Sequence, residues 1–385
     1  MPVETEKTRL LSLDVFRGMT VAGMVLVNNP GTWGAIYPPL AHAQWHGVTP
    51  TDLVFPFFLF IVGVSITLAF GNRVENNEIN SNIYLKIIRR SLIIFALGLF
   101  LAAFPFYNFT KGEWLDVSTL RIMGVLQRIA VCYLFAALIF VRTNWKQQTI
   151  IAAALLLVYW ALMTLINVPN CEITTFNDKA CNLAAYLDRV ILTENHIWKS
   201  AKFFDPEGLL STLPAIATTL AGVLCGHWLR REKSDDEKVS AIFFSGITLT
   251  AIGWIWSFWF PLNKSLWTSS YVVYTAGLAL CFIGFCYWLI DIKDYKKWAK
   301  PFVIFGVNAL ALFVFSGLTA KLLGLIKVGA DAEGKSVSLQ KWIFDSIFLP
   351  LAAPVNASLM YAISYILLWL FLMWLLYRKR IYIKV

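Results

Sequence analysis

The stretch VNNPGTWGAIYPPLAHAQWHGVTPTDLVFPFF, residues 27–58, gathers side chains able to move protons. It holds two of the four histidines, His42 and His46, beside Trp45 and between Asn28 and Asp52. An imidazole titrates near neutrality, so a histidine with a carboxylate and an aromatic platform nearby suits general acid–base work. Asp52 has a second use, since Thr49 or Thr51 followed by Asp52 also reads as a helix start. The His-x3-His spacing could hold a metal only on a helix. Pro38, Pro39 and Gly47 argue for irregular backbone, and no further ligands with fitting spacing follow, so no metal is expected.

Other charged groups lie inside apolar blocks, where each is expensive and needs a partner. Asp14 and Arg17 are three apart on one helix face, an ion pair or a direct participant. Arg121 could snorkel from the end of a span. Gln127 and Arg128 lie deeper, and Arg128 requires a carboxylate, backbone carbonyls or an anionic ligand. In FFDPEGLLSTLP, Asp205 and Glu207 could be helix-cap acids. In PLNKSLWTSSYV, Lys264 could be a solvated rim charge, and Trp267, like Trp198, an interfacial belt residue. The same tryptophans, carboxylates and amides would equally suit a sugar site, because an indole face stacks on a pyranose ring.

The elements that position these groups are membrane helices. The 385 residues are 58% hydrophobic and only 15% charged, against about a quarter charged in soluble domains. A span needs roughly 20 mostly apolar residues. About ten such blocks are present, near 10–29, 52–71, 87–105, 120–141, 148–167, 208–229, 239–260, 270–290, 301–322 and 357–377. The segment 336–356 is too short to span and reads as interfacial or re-entrant. The N-terminus leads straight into the first block without a cleavage site, so that span is expected to stay as an anchor. The fold class expected is an all-α, polytopic transmembrane bundle forming one domain, 1–385.

A net charge of +10 raises nucleic acid as a partner, but the basic residues fall in small clusters between apolar blocks. Arg73, Lys86, Arg89 and Arg90, then Arg142 and Lys146, then Arg230, Arg231, Lys233 and Lys238, then Lys293 to Lys300 mark alternate connections. Arg378, Lys379, Arg380 and Lys384 close the chain. The positive-inside rule puts both termini in the cytoplasm, with the lipid bilayer and not nucleic acid as the environment. The loops 30–51, 106–119, 168–207, 261–269 and 323–356 then face outward. Cys171 and Cys181 lie together in the longest of them, which favours a disulfide over two free thiols. Cys132, Cys225, Cys281 and Cys286 read as small core residues.

RLLSLDVFRGMTVAGMVLVNN, HAQWHGVTPTDLVFPFFLFIVG, GVLQRIAVCY, FDPEGLLSTLP, NKSLWTSSYV and GVNALALFVF occur in this order. Together they resemble the transmembrane heparan-α-glucosaminide N-acetyltransferase family, including its bacterial inner-membrane members that acetylate glucosamine. The resemblance covers nearly the whole chain. It implies an acyltransferase that takes acetyl-CoA from the cytoplasm and acetylates an amino sugar on the far side. The family's catalytic histidine falls on His42, the asparagine ending its first span on Asn28, and its GVLQR arginine on Arg128. Two departures stand out. His46 replaces the usual asparagine of W-N-G. The chain also begins at what would be the second span of lysosomal members, which points to free glucosamine or a small glucosaminide as acceptor.

Under this resemblance His42 acts as general base, with Asn28 donating to the oxyanion, or is itself acetylated. Asp52 completes the catalytic set. Arg89, Arg90, Arg230 and Arg231 are the expected contacts of the CoA nucleotide, with Arg128 and Gln127 partway in. Trp45, His46, Asp205, Glu207, Lys264 and Trp267 are the expected sugar contacts, and a homo-oligomer is left open. The rival is a proton-coupled sugar transporter using Asp14, Arg17 and Arg128. Release of free CoA thiol separates the two.

Overall fold

The computed structural model describes residues 10–108, 112–330, 334 and 336–383. The polar opening and Lys384 lie outside the described residues. The chain is helical almost throughout. It runs α1 (Leu11–Asn28), α2 (Pro50–Glu75), α3 (Ser81–Ala103), α4 (Val125–Arg142), α5 (Trp145–Leu165) and α6 (Leu183–Ile191), then α7 (Thr212–Leu229), α8 (Asp235–Trp256) and α9 (Ser269–Cys286). It continues through α10 (Lys300–Val307), α11 (Ala309–Leu325), α12 (Leu339–Ile343) and α13 (Pro354–Arg378). Two short antiparallel ribbons interrupt it: β1 (Tyr107–Asn108) with β2 (Glu113–Trp114), and β3 (Lys327–Ala330) with β4 (Ser336–Ser338).

Among the described residues, eight helices are long and apolar enough to cross a bilayer: α1, α2, α4, α5, α7, α8, α9 with its continuation to Ile292, and α13. Helices α10 and α11, bent by 72° at a short break, bring the number to nine if the pair is counted as one span. The tenth expected span is α3, a 23-residue helix whose Lys86, Arg89 and Arg90 leave it outside that set. The stretch 301–322, expected as one continuous span, is therefore two helices with a bend between them. Asn308 sits at the break with φ −122° and ψ 32°. Its side chain is used there, donating to the Ile381 carbonyl at 3.1 Å and accepting from Ile383 N at 2.9 Å. The block expected at 120–141 also starts late, because residues 120–124 are not helical and α4 begins at Val125.

Helices α5 and α8 carry apolar side chains on their exposed faces, among them Ile150, Leu157, Val158, Phe244, Ile247 and Ile252. Continuous apolar exposure of this kind is unfavourable in water and neutral against lipid tails. The fold is that of a polytopic helical membrane protein.

The chain forms two compact units. The first contains the described residues up to Tyr37, 233–244 and 279 onward; the division falls within α8 and α9. In this unit α1 and α10 approach backbone to backbone. A Cβ on Gly18 would stand 1.8 Å from the Phe302 carbonyl oxygen, and one on Gly306 2.0 Å from that of Asp14. The Asp14 and Arg17 side chains pair at 3.1 Å. Segment 336–356 contains α12, a π-helical turn at Phe344–Phe348 and the start of α13.

The second unit contains residues 38–232 and 245–278. Its centre is the contact of α2 with α7. A Cβ on Gly63 would meet the Thr219 carbonyl oxygen at 1.9 Å, and one on Gly222 that of Phe60 at 1.9 Å. Small residues in membrane helices allow such close packing, where van der Waals contact replaces the hydrophobic drive. Thr67 Oγ1 adds a hydrogen bond to the Val223 carbonyl at 3.1 Å. Beside it, Ser91 of α3 donates to the Ala130 carbonyl of α4 at 2.8 Å.

Candidate active site

Thr49 caps α2 and Asp52 occupies the third helical position. The Asp52 carboxylate is 1% exposed and divides its work between two oxygens. Oδ2 accepts from the backbone N–H groups of Thr49 and Ala43, each at 3.0 Å, and has Thr49 Oγ1 at 3.0 Å. Oδ1 faces His42 Nδ1 at 2.7 Å. The same carboxylate thus starts the helix and contacts His42. Tyr271, fully buried, fixes the same turn by donating to the Asp52 carbonyl at 2.5 Å.

A carboxylate only accepts, so Nδ1 of His42 carries the proton and Nε2 the lone pair. The imidazole is about half exposed, at 48%. Lys264 Nζ lies 3.0 Å from Nδ1 and 3.2 Å from Nε2, and 3.7 Å from Asp52 Oδ1. An atom nearly equidistant from both ring nitrogens sits over the ring and along neither in-plane lone pair. The Nε2 lone pair is left to an incoming group. Burial lowers the pKa of the Lys264 ammonium, against the opposing pull of Asp52 and Glu207.

The neighbouring His46 is held from two sides. Its Nε2 donates to Asn177 Oδ1 at 2.9 Å, and its Nδ1 receives Asn263 Nδ2 at 3.3 Å. That pattern defines the neutral Nε2–H tautomer, and burial lowers the His46 pKa. Trp45 Nε1 donates to the Phe176 carbonyl at 3.0 Å and its ring packs edge-on against Phe204. Phe176 and Asn177 lie in the loop closed by a disulfide between Cys171 and Cys181. Gly47 allows the chain to turn back, with φ +103° and its N–H donated to the Leu262 carbonyl at 2.8 Å.

The FDPEG segment is fixed by three groups that sequence reasoning did not connect. Arg121 donates from Nε and Nη2 to the two oxygens of Asp205, at 2.8 and 2.5 Å, and from Nη2 to Glu207 Oε2 at 2.5 Å. Arg121 is thus an ion-pair partner in the segment before α4 and does not snorkel. From beneath, Asp188 of α6 accepts the N–H groups of Leu209 and Asp205 at 2.9 and 3.2 Å. Burial pushes the Asp188 carboxyl from 3.8 up to about 6. Burial also raises Asp205 despite Arg121. Burial opposes ionisation of Glu207 too, but there the positive charges of Arg121, Arg128 and Lys264 prevail and lower it.

Arg128 is fully buried on the first turn of α4. Its Nη2 donates to the Gly208 carbonyl at 2.9 Å and to Ser211 Oγ, and its guanidinium lies 5.2 Å from the Trp267 ring centroid. Its Nε and Nη1 have no hydrogen-bond partner among the described residues. Trp267 is itself buried, with Nε1 donated to Thr218 Oγ1 at 3.1 Å. Gln127 is buried where α4 passes Gly98.

The structure brings His42, Asp52, Lys264, Trp45 and His46 together, and sets Arg121, Asp205, Glu207, Arg128 and Trp267 in a second linked group. Arg89 and Arg90 are exposed on α3, Arg90 over the Tyr133 ring at 5.0 Å. Arg230 binds Asn72 Oδ1 at 2.8 Å and Glu75 Oε2 at 2.5 Å, while Arg231 lies over Trp228 at 4.8 Å. Asn28 ends α1 in the first unit and is exposed. The other histidines serve structure: His196 Nδ1 lies 2.6 Å from the Leu120 carbonyl oxygen, and His227 Nε2 lies 2.9 Å from Gln148 Oε1.

A bundle of apolar helices carrying a half-exposed, carboxylate-supported imidazole defines a polytopic membrane protein with a candidate proton-transfer site. The family described as "Heparan-alpha-glucosaminide N-acetyltransferase, catalytic" matches residues 9–255. Heparan-alpha-glucosaminide N-acetyltransferase of Mus musculus is 27% identical over 357 residues, covering 80% of this chain and 53% of that protein. The Homo sapiens protein of the same name is 28% identical over 357 residues, covering 80% of this chain and 52% of that protein. The chain therefore spans about half the length of these relatives. It belongs to this membrane N-acetyltransferase family.

Proposed function

We propose that the protein moves an acetyl group from acetyl-CoA, bound from the cytoplasmic side, to the amine of glucosamine or a small glucosaminide. In this reading the acceptor lies on the periplasmic side of a bacterial inner membrane, both termini are cytoplasmic, and the whole chain works as one acyltransferase domain. The observation that carries it is the Nε2 lone pair of His42, held available by the Asp52 contact at Nδ1.

A sugar amine is mostly protonated near neutrality and must shed a proton to attack a thioester. His42 Nε2 is placed to take it, and Asp52 stabilises the imidazolium that forms. The alternative step, acetylation of Nε2 and then attack by the sugar, uses the same lone pair. Trp45, anchored through its indole N–H, supplies an aromatic wall next to His46. Glu207 supplies an acceptor for hydroxyls. The donor side also has fitting groups. The unpartnered Nε and Nη1 of Arg128 suit the carbonyl or phosphate oxygens of CoA, and the exposed Arg89 and Arg90 suit its anionic nucleotide.

The test is release of CoA thiol by purified protein given acetyl-CoA and a panel of amino sugars. Glucosamine-dependent release, abolished in a folded His42→Ala variant, is expected. Silence across the whole panel, or near-normal release by His42→Ala, would overturn the proposal.

A further inference from the structure

The function proposed above requires an amine to arrive beside His42, and the protein already keeps one there. We propose that Lys264 is a self-acetylation site: with acetyl-CoA present and no acceptor sugar, its Nζ takes the acetyl group. The inference rests on the acetyltransferase reading and concerns a residue within the same site.

The geometry is that of an acceptor. Nζ stands over the imidazole, 3.0 and 3.2 Å from its two nitrogens. An acetyl group on Nε2 would lie coplanar with the ring by conjugation, and a nucleophile reaches a carbonyl carbon from above that plane. Lys264 occupies that face. In direct transfer the same lysine is an amine touching the base. Either route starts with the amine against the ring, and in direct transfer a rotation of the lysine side chain off the ring face aligns it with the Nε2 lone pair. Burial favours the neutral amine, the nucleophilic form. Lys179 offers an internal contrast. It is exposed and stands over the Trp45 ring at 5.6 Å.

The step balances without a further reagent. The bond from Nζ to the acetyl carbonyl carbon forms and the carbon–sulfur bond breaks. A proton leaves the amine through His42 and ends on the thiolate. The products are N-acetyl-lysine and CoA thiol. The modified side chain loses its charge, and with it the attraction to Asp52 Oδ1 at 3.7 Å, and its new bulk fills the space above the ring. An enzyme loaded with donor but starved of acceptor would silence itself.

The experiment incubates the full-length protein with acetyl-CoA alone and maps peptides by mass spectrometry, with neutral hydroxylamine to remove any acyl-imidazole. A hydroxylamine-stable acetyl group on Lys264 and none on Lys179 is expected. Labelling should be suppressed by glucosamine present from the start and absent from His42→Ala. The later rate with glucosamine should fall in proportion to the fraction of Lys264 modified. An unmodified Lys264 in a preparation that releases thiol with glucosamine overturns this inference and leaves the proposed function standing. Equal labelling of Lys264 and Lys179 overturns it as mere chemical acetylation. Absence of both label and sugar-dependent thiol release overturns the inference together with the reading beneath it.

Discussion

Replacing Asp52 with asparagine separates the two tasks that its carboxylate performs. Oδ2 accepts the Thr49 and Ala43 N–H groups at 3.0 Å each, and the amide oxygen of the introduced side chain can accept both. The helix cap then survives, and with it the cap stability of about 1 kcal/mol. The amide NH2 is thereby turned toward His42. It donates to Nδ1, so the ring proton moves to Nε2 and the lone pair facing the substrate is lost. The structure predicts an inverted tautomer in an intact fold. Loss of the correct tautomer in a carboxylate–histidine pair costs about 10³–10⁴ in rate, or about 4–5.5 kcal/mol of transition-state stabilisation. Thiol release with glucosamine measures the rate, and a thermal melt in detergent checks the fold. Asp52→Asn combined with His42→Ala should cost little more than His42→Ala alone, because the residues act as one unit. A well-folded Asp52→Asn protein with a rate close to the unmodified one would show that the Asp52 contact does not govern the imidazole.

Further outcomes follow from the supporting structure. Arg121→Met leaves Asp205 and Glu207, 2% and 7% exposed, without the cation that hydrogen-bonds both. A loss of about 3–5 kcal/mol is expected in detergent melts, shrinking as acid neutralises the two carboxyls. Asp188 holds its proton more tightly folded than unfolded, so its contribution is full below pH 3.8 and is lost as pH rises toward about 6. Asp188→Asn should flatten that slope, worth at most about 3 kcal/mol, in melting temperature against pH. Gly222→Ala drives a Cβ to within 1.9 Å of the Phe60 carbonyl oxygen. Forcing α2 and α7 apart should lower stability by about 1–3 kcal/mol or more. Replacing Cys171 and Cys181 by serine opens the loop that holds Trp45 and His46. It should cost about 2–3 kcal/mol and raise KM for the sugar more than it lowers kcat.

The parts legible in the sequence were those written in local pattern. Apolar block lengths and alternating basic connections gave the helices, including α3, whose basic first half is itself an orientation signal. His42 and Asp52 are ten residues apart with turn-forming residues between them, so their meeting could be read locally. Lys264 meets His42 across 222 residues, and Arg121 meets Asp205 and Glu207 across 84 and 86. Partners that far apart leave no spacing to read. Asp188 was missed because α6 is nine residues long, too brief to stand out within a polar loop. The bend at Asn308 was hidden because hydropathy does not register a side chain that binds another segment's backbone.

The short turn 263–268 serves three clients: Asn263 reaches His46, Lys264 covers His42, and Trp267 lies beneath Arg128. Its arc is pinned internally, since Asn263 O receives Thr268 N at 3.1 Å and Asn263 Oδ1 receives Leu266 N at 2.8 Å. Such a segment behaves as a gauge block. One inserted or deleted residue would displace all three tips together, so related chains should differ here by replacement while keeping its length.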